Sequence, residues 1–123
     1  YALDRVKAIL MKNKFKDILI NIGNSSILAM GNHPYGKGWK IKSISPHFAK
    51  DKKDCLHNEF LTTSGNDSQE RKHIINPHTG KYVEGVKEVS VITTMGVLGE
   101  VISTSFIINP EIKTKFNLDF RLL

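Results

Sequence analysis

The chain is poor in most of the features that identify a protein quickly. It holds one cysteine, Cys55, so no disulfide closes within it and no thiolate-rich zinc framework can form. No apolar run approaches the roughly 20 residues that cross a bilayer as a helix. Arginine is scarce beside lysine, and no arginine-rich block with interleaved aromatics occurs, which removes the usual footprint of a nucleic-acid-binding surface. Internal repeats and low-complexity segments are also missing, so neither a solenoid nor a disordered linker is expected.

What is present describes one folded unit. A length of 123 residues, with 40% hydrophobic and 24% charged, suits a single globular domain with a real core. The formal charge of +6 favours anionic partners, such as a nucleotide diphosphate, nucleic acid or an anionic membrane surface, and on that charge alone a small basic nucleic-acid-binding domain is a further alternative. It is spread over separate lysines (Lys7, Lys12, Lys14, Lys16, Lys50, Lys52, Lys53) and reads first as a solvated basic surface. Cys55 stands among Asp51, Lys52, Lys53 and Asp54, the setting of an exposed loop or strand edge and not of a nucleophile.

Periodicity places the elements. Ala2, Leu3, Val6, Ile9 and Leu10 recur at helical spacing, which predicts an amphipathic helix over residues 2–13. Asp17–Ile22 and Ser26–Met30 read as a hairpin around the turn Gly23-Asn24-Ser25. Residues 31–38 are loop, and Trp39–Ile44 alternates as a half-buried strand. Residues 45–55 read as an exposed charged connection. The next strands are expected at Leu56–Leu61 and Lys72–Ile75, separated by a polar turn over 62–70, and then at Lys87–Thr94. A helix is expected at Leu98–Phe106 despite Gly96 and Gly99, and a last one at Glu111–Phe116 with Asn109 as N-cap.

Three segments between Thr62 and Thr104 carry the chemistry. They are Thr63-Ser64-Gly65, His73-Ile74-Ile75-Asn76-Pro77-His78-Thr79-Gly80, and Gly99-Glu100-Val101-Ile102-Ser103-Thr104. In the middle one Pro77 fixes φ and Gly80 can take φ > 0, as a tight turn requires. In the last, Glu100 and Thr104 stand four residues apart and project from one helix face, a carboxylate and a hydroxyl suited to a hard, oxygen-loving cation. His73 offers an imidazole, which serves as a general base or, equally, as a strand histidine satisfied by backbone. A zinc site on His73 and His78 would need two more ligands, and His33, His47, His57 and Cys55 have no useful spacing.

The order and spacing of these segments resemble the flavin transferase (ApbE) family, which pairs His-Ile-Ile-Asp-Pro-x-Thr-Gly with a later Ala-Asp-Ala-x-x-Thr-Ala. Nearly the whole chain takes part. Tyr1–Val6 is similar to the end of the family's Lys-Gly-Tyr-Ala-x-Asp helix, Asn21-Ile22-Gly23-Asn24 to its Asn-x-Gly-Gly turn, and Trp39-Lys40-Ile41 to its Trp-x-Ile strand. Glu100 stands where the family has Asp, Asn76 where it has the Asp before Pro, Asn24 where it has the second Gly, and Lys42 where it has a Gly after the Trp.

The resemblance implies an α+β fold, an antiparallel sheet packed against helices, with residues 1–123 the C-terminal part of a larger domain. It implies a magnesium-dependent transfer of FMN from FAD to a Ser or Thr hydroxyl of a target protein, releasing AMP, with hydrolysis of FAD to FMN and AMP as a close variant. His73 would be catalytic. Ile75, Thr63, Ser64 and Gly65 would lie against the flavin nucleotide, the last three as a turn whose hydroxyls and amides meet phosphate or ribose, or as a plain turn. Glu100, Ser103 and Thr104 would hold Mg2+. The implied partners are FAD, the acceptor protein and a companion N-terminal segment, without nucleic acid. The implied location is the bacterial cell envelope, as a lipoprotein anchored on the extracytoplasmic side, at the periplasm or cell surface. A non-catalytic flavin-binding or interaction module is the alternative.

Overall fold

The computed structural model describes residues 1–43, 52–66, 73–85, 87–115 and 119–123. Its elements in chain order are α1 (Ala2–Lys12), β1 (Ile18–Ile22), β2 (Ser26–Met30), β3 (Trp39–Ser43), β4 (Lys52–Leu56), β5 (Glu59–Asn66), β6 (Lys87–Thr93), α2 (Gly96–Ile108), a 3-10 turn (Pro110–Lys115) and β7 (Phe120–Leu122). This is an α+β fold: an antiparallel sheet in the order β1-β2-β5-β6-β7, two helices, and a separate β3–β4 hairpin.

The period-2 pattern of the strands decides which layer lies where. Leu28 and Met30 on β2 and Phe60 on β5 face α1, where they pack with Leu3. Val91 on β6 meets Ile102 and Phe106 of α2. The residues in between, Ala29, Leu61 and Ile92, point to the opposite face and are covered by Trp39, Ile41 and Leu56 of the hairpin. The chain therefore forms three layers, helices on sheet on hairpin. Trp39 finds a partner for its indole N–H in the Met30 carbonyl, at 2.8 Å, as a partly buried indole should. Across the β5 edge of the hairpin, Arg121 pairs with Glu59 and reaches Asp54 at 3.6 Å. The Glu59 hydrogen bond raises the guanidinium above its already high ordinary value, and solvent screens the pair.

Several expectations from periodicity are corrected. The connection over 45–55 ends in β4, and residues 45–51 lie outside the described residues. Leu56–Leu61 is not one strand. It is broken by a turn at His57-Asn58, where Asn58 takes φ 59°, and this turn joins β4 to β5. Thr62–Asn66 is strand and not turn, paired residue by residue with Val91 to Lys87; the remainder to Glu70 lies outside the described residues. Of the expected strand Lys72–Ile75, Lys72 lies outside them, and Ile75 makes only an isolated bridge to Tyr82. The last helix is the short 3-10 turn, where the Asn109 carbonyl Oδ1 accepts from the Glu111 N–H at 3.0 Å; Phe116 lies outside. No helix among the described residues is long and apolar enough to cross a membrane.

Candidate functional site

The site begins with a mismatch of strand lengths. β2 pairs with β5 only as far as Ser26↔Thr62, with one further bond from the Thr63 N–H to the Ser25 carbonyl at 2.7 Å. β5 runs on to Asn66 against β6 alone. Its far half thus presents an edge without a second neighbour among the described residues, and Thr63, Ser64 and Gly65 lie there. Gly65 is required by β6 rather than by a turn, since a Cβ would stand 2.7 Å from the Lys87 carbonyl oxygen.

Helix α2 crosses above this edge, and its closeness has two causes. A Cβ on Gly99 would fall 2.5 Å from Thr62 Oγ1, so only glycine lets the helix backbone come so near the sheet. At its start, the Asp4 carboxylate of α1 accepts from the N–H groups of Gly96 and Val97 at 2.8 and 2.9 Å. It satisfies donors that every helix leaves open and places negative charge against the positive end of the dipole. The cap comes from 92 residues away in sequence.

Under α2 the sheet offers hydroxyls where an apolar surface would be ordinary. Ser64 Oγ lies 2.7 Å from Ser103 Oγ and 3.1 Å from Thr104 Oγ1, and Ser103 Oγ also donates to the Glu100 carbonyl at 3.3 Å. Each bond contributes roughly 1 kcal/mol at most, but an unmade one in so enclosed a place would cost more. On the neighbouring strand Ser26 Oγ donates to Glu100 Oε1 at 2.8 Å. Glu100 and Thr104, one helical turn apart, are thus each held from the sheet.

The opposite wall is the loop from His73 to Val83. Asn76 organises it: its Oδ1 accepts from the His78 N–H at 2.9 Å, its carbonyl accepts from the Gly80 N–H at 2.9 Å, and Gly80 takes φ 67°. The Val83 N–H donates to the Ile74 carbonyl at 2.8 Å, and the side chains of Ile74 and Val83 are buried against Ile107. His73 and Ile75, next to this anchor, remain exposed.

Together these parts enclose a cleft of about 530 Å³ lined by Ser25, Thr63, Ser64, Gly65, His73, Ile74, Ile75, Glu100 and Thr104. That volume falls within the range of small-molecule sites. The residues singled out in the sequence converge here with one exception: Ser103 is fully buried beneath the helix and does not line the cleft. Thr63, Ser64 and Gly65 lie there on a strand, with Thr63 Oγ1 bonded to Ser90 Oγ at 2.8 Å. His78 sits in the turn at the far end of the loop, away from the lining residues. Sequence reasoning passed over Ser25, Ser26 and the cap Asp4. Ser26 carried a signal, because a hydroxyl two residues before Leu28 occupies the helix-facing side of a strand.

No group of three or more His, Cys, Asp or Glu side chains converges among the described residues. Glu100 brings the one carboxylate among the residues lining the cleft, and Thr104, one helical turn along, brings a hydroxyl beside it. That donor set does not suit zinc or a calcium cage. It suits magnesium, which is usually held by one or two carboxylates and completes its shell with phosphate oxygens and water.

The model of the ApbE family matches residues 1–117. No curated protein matches the chain.

Proposed function

The chain belongs to the ApbE family, a family of flavin transferases that use FAD, and from that premise we propose that it forms the catalytic wall of a magnesium-dependent FMN transferase. The observation that carries the reading is the convergence of His73, Glu100 and Thr104 on one cleft, from segments that lie apart in sequence.

In this reading FAD lies with its diphosphate in the cleft. Ile75 and the β5 edge, Thr63 to Gly65, line its path. Glu100 and Thr104 would hold the magnesium ion, which supplies charge neutralisation at the diphosphate. His73 accepts the proton of an incoming Ser or Thr hydroxyl of the target protein. The hydroxyl oxygen forms a bond to the phosphorus of the FMN half, the P–O bond to the bridging oxygen breaks, and that oxygen leaves as part of AMP. With water in place of the hydroxyl, the same sequence yields FMN and AMP. The Glu100 side chain is longer than the family's Asp by one methylene, and its hydrogen bond to Ser26 supports it as a defined ligand rather than a loose one. We place the protein in the bacterial cell envelope, anchored as a lipoprotein outside the cytoplasm.

The test is AMP release from FAD by the full chain as magnesium is varied. We expect release that requires magnesium, is abolished in Glu100→Ala and is kept in Glu100→Asp. Binding of FAD without any AMP release at any metal concentration would instead identify a non-catalytic flavin-binding module.

A further inference from the structure

Glu100 is held by a group that no motif announces. Ser26 opens β2, directly opposite Thr62 of β5, and its Oγ donates to Glu100 Oε1 at 2.8 Å across 74 residues of sequence. Glu100 lies on the exposed side of α2, where a glutamate ordinarily samples several rotamers and loses side-chain entropy if it must bind in one. A strand hydroxyl at hydrogen-bond distance fixes it beforehand. The strand itself is not free to move, since β2 is paired on both sides, to β1 and to β5.

The bond also divides the carboxylate. Ser26 takes Oε1, and Oε2 has no hydrogen bond among the described residues. Ser26 and Glu100 together line a smaller cavity of about 120 Å³ beside α1, while Glu100 alone of the two also lines the larger cleft. The carboxylate thus stands at the boundary of the two spaces, and the serine is on the far side from the diphosphate path.

We propose that Ser26 is a positioning residue for Glu100: it orients the longer carboxylate so that one oxygen is kept for a divalent cation in the cleft. This rests on Glu100 being the metal ligand of the proposed function. Hydrogen bonding of a ligating carboxylate by an outer partner fixes its orientation, and loss of such a partner characteristically weakens metal affinity without removing the ligand. Reach is what makes the role particular to glutamate. An aspartate at position 100 would be about one bond length shorter and would lose contact with the Ser26 hydroxyl.

The experiment is a double-mutant cycle in the full chain, read by direct Mn2+ binding in electron paramagnetic resonance and by the magnesium dependence of AMP release. We expect Ser26→Ala to weaken Mn2+ binding roughly 10-fold, the lower end for outer-shell partners. Its magnesium requirement should rise in parallel, with the rate at saturating metal little changed. Ser26→Thr, which keeps the hydroxyl, should restore wild-type affinity. In a Glu100→Asp background, Ser26→Ala should have no further effect. If Ser26→Ala binds Mn2+ as the wild type does while Glu100→Ala does not bind it, the positioning role is wrong and the ligand assignment stands. If Glu100→Ala also binds Mn2+ normally, the ligand assignment fails and the role of Ser26 falls with it.

Discussion

At the scale of single residues, the proposed mechanism turns on an exposed imidazole. His73 is exposed, so His73→Ala should leave thermal unfolding nearly unchanged while slowing flavin transfer roughly 100-fold or more, the usual scale of general acid–base catalysis. Transfer at the wild-type rate in a quench-flow assay would remove His73 from the mechanism. The turn that follows His73 was legible because its residues are diagnostic: Pro77 and Gly80 announce it, and the structure shows Asn76 capping it through Oδ1. Asn24 was legible for a similar reason, since it takes φ 58°, a conformation asparagine tolerates. Asp4 and Ser26 were not legible. Their partners are 92 and 74 residues away: strand alternation puts Ser26 on the side of Leu28, but nothing local in either segment names the group that the side chain meets.

At the scale of elements, α2 shows why propensity misleads. Gly96 and Gly99 weaken a helix in isolation by about 1 kcal/mol each, yet both are buried and are what let the helix lie close to Phe60 and Thr62. The loss is offset by tertiary contact and by the Asp4 cap. Asp4→Ala should therefore destabilise the protein by about 1–2 kcal/mol, lowering the melting temperature by several degrees, and Asp4→Asn should recover part of this because an amide oxygen still accepts. Denaturant titration checks it; an unchanged midpoint for Asp4→Ala would mean the two bonds contribute nothing. β4 was missed for a different reason. Lys53, Asp54 and Cys55 present polar or exposed side chains, as the edge strand of a small hairpin does, so only Leu56 carries the apolar signal. α1 was read almost to the residue because its apolar residues recur at helical spacing, and β1, β2 and β6 because each is a short, mostly apolar or β-branched run bounded by turn residues.

At the scale of the whole molecule, the cleft has firm walls on the side of the sheet and helix, while Ile75 on the other side is 50% exposed. Tight cofactor sites bury most of their ligand. Residues 1–123 alone should accordingly bind FAD weakly, and calorimetry finding micromolar or tighter affinity would show that these residues already enclose the flavin. The two walls are also fastened by different forces. Ser64, Glu100 and Thr104 are tied by hydrogen bonds, which are directional and break when geometry shifts. The His73 loop carries internal bonds, among them Gly80 to Asn76 and Val83 to Ile74, and is also seated through Ile74 and Val83 in an apolar cluster, whose attraction has no preferred direction. In the proposed reaction the diphosphate would thus meet a wall held by directional bonds, and the incoming hydroxyl one seated largely by packing, so changes that shift geometry by a few tenths of an ångström would be felt first on the diphosphate side.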